Sequence, residues 1–284
     1  MLKVLREGDK YSEPCALLLG GFDGFHAGHE TLLVEAKKTG LPVGLTSITG
    51  GKAGSELFTP KEREVIFARA GFAFVREIEF TEALKNTSAE EFLKQLLESV
   101  SAREIFCGED FRFGRGREGT SVRLKELAPC PVSVLPLLTE WGEKVSASHI
   151  KDYLKEGCMG RVNCLLPYGY FMQGAVERGR GVGHTLGFPT LNLSIAPEKL
   201  LPKDGVYGGY AETPRGRFPS IINIGARPTF GVEERKVEAY LKGFSGDLYG
   251  ETVRIYPTQF LRPIFQFSSK EELITQLQKD IERI

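Results

Sequence analysis

Residues 20–30 read GGFDGFHAGHE, and this stretch holds two of the chain's four histidines, His26 and His29, three residues apart. The apolar run CALLL (15–19) precedes it and the helix-like ETLLVEAKK (30–38) follows. A glycine-rich turn between a buried strand and a helix is where an α/β sheet carries its ligand. Unpaired N–H groups in the first helical turn suit phosphate oxygens. Gly20, Gly21 and Gly24 are expected to permit a tight turn and close backbone approach, with Phe22 and Asp23 inside it. Positions i and i+3 of a helix face the same way, so both imidazoles can reach one phosphate. The fingerprints G-x-G-x-x-G and G-x-x-x-x-G-K-[ST] are absent, which excludes those two nucleotide motifs. Two histidines without a clear third ligand fall short of a zinc site.

Outward from this turn the first half alternates apolar runs with helical patterns. LPVGLTSI (41–48) precedes PKEREVIFARAG (60–71), and FAFVREIEF (72–80) follows. SAEEFLKQLLESV (88–100) puts Phe92, Leu93, Leu96, Leu97 and Val100 on one face, with Ser88 and Glu91 spaced as a capping box. REIFC (103–107) and CPVSVLPL (130–137) read as strands around a polar, glycine-rich loop. This order predicts βαβ units and a mainly parallel sheet. Around residues 158–166 the rhythm changes. Between Tyr170 and Phe267, glycines and prolines punctuate short alternating runs such as ETVRIYP (251–257), which predicts an antiparallel barrel or sandwich. SSKEELITQLQKDIERI (268–284) closes the chain as a helix with Leu273, Leu277, Ile281 and Ile284 on one face, and Ser268 with Glu271 as its capping box.

At 284 residues, with 41% hydrophobic and 26% charged residues, the chain suits one large domain or two ordinary ones with a proper core. The formal net charge is zero and no polybasic block occurs, so nothing favours nucleic acid or an anionic membrane. No apolar run approaches the roughly 20 residues that cross a bilayer. The first ten residues, MLKVLREGDK, lack a signal-peptide core. Five cysteines (Cys15, Cys107, Cys130, Cys158, Cys164) are scattered singly and read as small buried hydrophobes in a reducing compartment. A cytoplasmic location is expected, and no pattern specifies an oligomeric state.

In CGEDFRFGRGREGT (107–120), Asp110, Arg112, Arg115 and Arg117 interleave with Phe111 and Phe113. Aromatics beside arginines can stack on a flat ring and hold phosphate. Together these strings become familiar. The opening stretch resembles the H-x-G-H signature of nucleotidyltransferases, and is similar to the G-[NG]-F-D-G-x-H-x-G-H of bacterial FAD synthetases, the bifunctional riboflavin kinase/FMN adenylyltransferases. The 107–120 loop resembles that family's G-x-D-F-R-F-G-x-x-R-x-G segment. The resemblance implies a Rossmann-like α/β domain in which His26 and His29 stabilise charge on the α-phosphate of ATP. There the FMN phosphate attacks and pyrophosphate leaves. It further implies that Gly20, Phe22, Asp23, Gly24, Asp110, Arg112, Phe113, Arg117, Ser146, Ser148 and Lys151 bind nucleotide or flavin. The chain departs from the family pattern at Gly21, at TSITGG (46–51) where T-F-x-P-H-P is usual, and at SASHIK (146–151) where S-S-T-x-I-R is usual.

In the second half, GAVERGRGVGHTLGFPTLNL (174–193) leads into a strand that holds Thr190 and Asn192 two apart, so both side chains leave on one face. A hydroxyl and an amide oxygen are hard, neutral ligands that suit Mg²⁺ once phosphates complete its shell. With LPKDGVYGGY (201–210), INIGARPTFG (222–231) and VEAYLKGFSGDLYG (237–250), this segment resembles the riboflavin kinase module of the same family, an antiparallel β-barrel with a C-terminal helix. Carried over by position, Thr190 and Asn192 would hold Mg²⁺, and Glu238 would be the catalytic base. Gly179, Gly183, Gly187, Asn223 and Arg262 would contact nucleotide or flavin. His184, Tyr240 and Gly243 depart from the usual residues. The expectation is an adenylyltransferase domain over residues 1–160 and a riboflavin kinase domain over 161–284. ATP would be co-substrate, and riboflavin, FMN, FAD and ADP the other small-molecule partners. Two alternatives stand beside it: a kinase whose first domain only binds nucleotide or flavin, and a flavin-binding regulator without turnover.

Overall fold

A computed structural model describes residues 1–50, 55–179, 187–229 and 232–284, with the backbone alone at 226–229 and 232–234. The chain forms two compact units, the first ending at Ala147 and the second running from Ser148 to Ile284.

The first unit opens with β1 (Lys3–Leu5), β2 (Tyr11–Leu18), α1 (Ala27–Lys37), β3 (Val43–Thr49), α2 (Pro60–Ala70) and β4 (Phe74–Glu79). Then follow α3 (Glu82–Asn86), α4 (Ala89–Ser99), β5 (Val100–Gly108), the two-residue strands β6 (Arg112–Phe113) and β7 (Gly119–Thr120), α5 (Ser121–Leu127) and β8 (Val132–Leu135). The strands β9 (Thr139–Glu140) and β10 (Glu143–Lys144) make a small hairpin. The main sheet is parallel throughout, in the order β1-β4-β3-β2-β5-β8. Strand β2 explains the unbroken CALLL run, because Cys15, Ala16, Leu17 and Leu18 are fully buried beneath both faces of the sheet.

Helix starts follow capping chemistry. Ser88 accepts the Glu91 N–H at 3.2 Å as expected, but the Glu91 carboxylate turns to Gln95, so only half of that box forms. The complete box is at α2, where Thr59 and Glu62 exchange bonds.

The second unit begins with α6 (Ala147–Glu156) and α7 (Met159–Leu165). Both group with the barrel, so the division falls before residue 160. Asn163 explains this attachment: its side chain donates to the Pro257 carbonyl at 3.2 Å and accepts the Tyr170 N–H at 2.9 Å. The strands β11 (Met172–Glu177), β12 (Thr190–Ile195), β13 (Gly205–Thr213), β14 (Gly216–Thr229), β15 (Val232–Leu241) and β16 (Thr252–Arg262) follow. They close an antiparallel barrel in the order β11-β12-β15-β14-β13-β16. Ile222, Ile224, Val237, Ala239, Val253 and Ile255 fill its interior, each alternating with an outward residue.

Helix α8 (Lys270–Ile281) packs Ile281 and Ile284 against Val206, Ile221 and Leu261. Its cap is one residue later than the sequence suggests. Ser269 accepts the Glu272 N–H, and Glu272 takes both the N–H and the hydroxyl of Ser268. Cys15 and Cys107 are buried, and burial pushes their thiols up to about 12 and about 11. Cys158 and Cys164 are exposed, which corrects the expectation of uniformly buried cysteines.

Two candidate active sites

Strand order reverses beside β2, with β3 and β4 on one side of it and β5 and β8 on the other. Such a reversal opens a crevice at the strands' carboxyl ends. The GGFDGFHAGH turn leaves β2 there, and the 108–117 loop leaves β5. His26 is the N-cap of α1. Its Nδ1 accepts the His29 N–H at 3.3 Å, which leaves the ring proton on Nε2. The two imidazoles stack at 3.7 Å with 16° between their planes. Behind them the Phe22 ring lies 4.2 Å from His29.

The left-handed step of this turn is taken by Phe22 itself (φ 42°) rather than by a glycine. It folds the ring inward until Phe22 is 1% exposed, and a Cβ on Gly20 would meet that ring at 2.8 Å. The Asp23 carboxylate accepts the Leu57 N–H at 3.0 Å, and a Cβ on Gly24 would meet Leu57 at 2.9 Å. Phe22, Asp23 and Gly24 therefore shape the turn, and none of them is among the residues that line the cavity in front of it.

That cavity has a volume of about 350 Å³ and is lined by His26, His29, Asp110, Arg112, Lys144 and Ser146 among others. Asp110 is ion-paired with Lys144. Burial pushes His26 down to about 4, with Lys144 adding to the effect and Asp110 opposing it. Burial, and then His26, also holds His29 well below the ordinary histidine value, against a weaker upward pull from the Gly24 carbonyl. The His29 Nδ1 is enclosed without a well-formed hydrogen bond. Burial therefore favours the neutral form of both rings, and a bound anion would raise their basicity.

A second cavity of about 410 Å³ adjoins the first across Gly20, Gly21, Arg112 and Arg117. Its walls are mostly apolar, from Ile48, Phe80, Leu84, Phe92, Phe111 and Phe113, with Thr46 and Lys85 among them. Phe111 and Phe113 stack at 5.4 Å with 13° between planes. Sequence reasoning missed Lys144 and Phe80. The signal for Lys144 was its place two residues before Ser146, and Phe80 carried none. Ser148 and Lys151 fall on α6 in the second unit.

On the barrel, Asn192 pairs directly with Glu238, and Glu238 with Asn223 on its other side. Val206 continues the row from Asn223 to Arg262. Directly opposed residues of an antiparallel ladder share a face. Their neighbours Val237, Ala239, Ile222 and Ile224 point into the barrel, so this row faces outward. Thr190 lies two residues before Asn192 on the same face, opposite Tyr240. A Cβ on Gly179 would stand 2.1 Å from the Asn192 Nδ2, so the bare backbone there seats the amide. Gly187 takes a left-handed turn (φ 80°) before β12. Gly183 and His184 lie outside the described residues.

Arg262 already has a protein partner. Its guanidinium makes three hydrogen bonds to the fully buried Asp280, at 2.8–3.2 Å, and so ties β16 to α8. A ligand would have to compete with that carboxylate.

One unit thus offers a polar cavity with paired imidazoles, and the other a carboxylate between two amides. Together they define a two-module, nucleotide-handling transferase. A FAD synthetase family model matches residues 8–149, half of the chain, and a riboflavin kinase model matches residues 166–284. The chain belongs to the FAD synthetase family and carries a riboflavin kinase domain as its second module. It is 29% identical to the bifunctional riboflavin kinase/FMN adenylyltransferase of Bacillus subtilis, over 93% of this chain and 89% of that one. It is likewise 29% identical to the enzyme of that name from Escherichia coli K12, over 94% and 91% of the two chains. Its fold matches a crystal structure of a macrolide-efflux protein from Streptococcus pneumoniae with a TM-score of 0.89 and 26% identity, covering 98% of this chain and 97% of that one. Among the described residues no helix is long and apolar enough to cross a membrane.

Proposed function

We propose that the barrel unit phosphorylates riboflavin to FMN, and that the α/β unit transfers the adenylyl group of ATP to FMN. In the first reaction, the terminal hydroxyl oxygen of riboflavin bonds to the γ-phosphorus of ATP. Its proton passes to the Glu238 carboxylate, and ADP departs. The paired register of Asn192, Glu238 and Asn223 supports this role, because it sets a carboxylate beside neutral oxygen ligands. The donor set fits magnesium: Thr190 and Asn192 would hold it through a hydroxyl and an amide oxygen, with phosphate oxygens completing the shell. Bound there, the ion would neutralise charge on the transferred phosphoryl group.

In the second reaction, an FMN phosphate oxygen bonds to the α-phosphorus of ATP. The bond from that phosphorus to the bridging oxygen breaks, and pyrophosphate leaves. His26 and His29 would donate to the α-phosphate, and Lys144, Arg112 and Arg117 would balance the triphosphate. The observation that carries this reading is the pair of adjoining cavities, one polar and one aromatic, that share Gly20, Gly21, Arg112 and Arg117. A flat isoalloxazine suits the aromatic one, which would bring the FMN phosphate to the shared border.

Incubation with FMN, ATP and Mg²⁺, followed by chromatography, tests the assignment. FAD formation that disappears in His29→Ala supports it. A wild-type protein that makes FMN from riboflavin but no FAD establishes the kinase-only alternative.

A further inference from the structure

Arg63 is 2% exposed, lies on α2, and belongs to none of the motifs above. Its Nη1 donates to the Ile48 carbonyl at 2.8 Å and to the Phe22 carbonyl at 3.5 Å. Its Nη2 pairs with the buried Glu56 at 3.4 Å. Ile48 in turn donates its N–H to the Gly21 carbonyl at 3.3 Å. The guanidinium therefore holds the end of β3 closely and reaches the Phe22 carbonyl of the histidine-bearing turn at the long limit of a hydrogen bond, while its buried Nε has no well-formed hydrogen bond. Phe22 is the residue in the left-handed conformation, and its ring covers His29. A non-glycine residue with positive φ persists only where its surroundings enforce it. A buried arginine that serves two carbonyls and a carboxylate supplies that enforcement through its fixed fork.

We infer that Arg63 is a positioning residue of the adenylyl-transfer site, which locks the Phe22 turn and so keeps the His29 ring stacked on His26. The inference rests on the proposed role of the histidine pair. Arg63 touches no cavity-lining imidazole itself, and acts through Phe22.

The test uses the full-length chain. Arg63→Met alone takes its guanidinium partner from the buried Glu56 carboxylate, so Arg63→Met/Glu56→Gln is compared with it, because the double variant removes both buried charges at similar volume. FMN formation from riboflavin, carried by the other unit, should stay within twofold of wild type, and the circular dichroism spectrum of the chain checks that the α/β unit is folded. FAD formation should fall at least tenfold in the double variant, through kcat more than through the KM for ATP. The histidine ring signals in NMR give a readout that mere destabilisation would not move. In the wild type the His29 ring should not titrate between pH 5 and 8, and in the double variant it should begin to. FAD formation within twofold of wild type, or an unchanged His29 titration, overturns the inference. If His29→Ala still makes FAD, the histidine reading falls instead, and the ring titration alone then decides on Arg63.

Discussion

Asn192 on β12 and Glu238 on β15 are direct cross-strand partners, and a Cβ on Gly179 would collide with the same Asn192 amide. One backbone contact thus seats the amide, and the strand register sets it beside the carboxylate. Glu238→Gln should lower FMN formation by on the order of 10²–10⁴-fold, the range that general-base help contributes. Asn192→Ala should abolish it at ordinary magnesium concentration. Adenylyl transfer from supplied FMN serves as the internal control. Near-normal kinase turnover in both variants would remove the proposed roles.

Gly179→Ala should resemble a weakened Asn192 variant, because the new methyl group takes the amide's place. The expected result is a raised magnesium requirement in the kinase assay with little change in thermal stability. A magnesium titration of the variant beside wild type decides it.

The two stacked imidazoles predict a pH dependence of stability. The folded His26 value lies at about 4, below the ordinary 6.5 of an unfolded chain. The unfolded state therefore binds protons that the folded state refuses, and stability falls as pH drops below 6.5 toward 4. For His26 alone, acidification from pH 7 to pH 5 should cost about 2 kcal/mol, and His29 shifts in the same direction. Urea denaturation of the wild type across this range should show the slope, and His26→Asn should reduce it, with His29 supplying what remains. A flat wild-type profile would contradict the buried, neutral histidines.

Lys144 leans on Asp110 at the mouth of the polar cavity. An arriving triphosphate offers this ammonium a stronger partner than one carboxylate. Lys144→Met should raise the KM for ATP in FAD formation about tenfold, the equivalent of one charge-assisted contact of roughly 1.4 kcal/mol. The KM for ATP in FMN formation should not move. Equal changes in both reactions would place Lys144 outside the site.

Breaking the Arg262–Asp280 pair tests the structural role of Arg262. Asp280 is fully buried, so Arg262→Leu leaves its carboxylate without a counter-charge, with the Gln276 amide as its remaining hydrogen-bond donor, and should cost about 3–5 kcal/mol. The double variant Arg262→Leu/Asp280→Leu should recover most of that loss. Denaturant midpoints of the two variants measure the difference, and an Arg262→Leu protein as stable as wild type would argue for a ligand contact instead.

Much of this protein is legible along the chain, because it depends on period and local chemistry. Alternation of period two marks the barrel strands, CALLL marks a strand buried on both faces, and the glycine turn before a helix marks a phosphate-sized site. The resemblance of the ordered motifs added the family and the residues Glu238, Thr190 and Asn192. Other features depend on which distant atoms meet, and no spacing encodes that. Phe22 reads as a ligand contact until its positive φ turns the ring into the core against His29. Arg262 reads as a nucleotide or flavin contact, and only the fold shows that Asp280, 18 residues away, already holds it. Lys144 and Arg63 stand in no motif at all. The sequence alone determined the two modules and the chemistry that each can offer. Tertiary structure alone decided which charges are spent on the protein itself and which still face a ligand, because a buried charge takes the partner that burial leaves it.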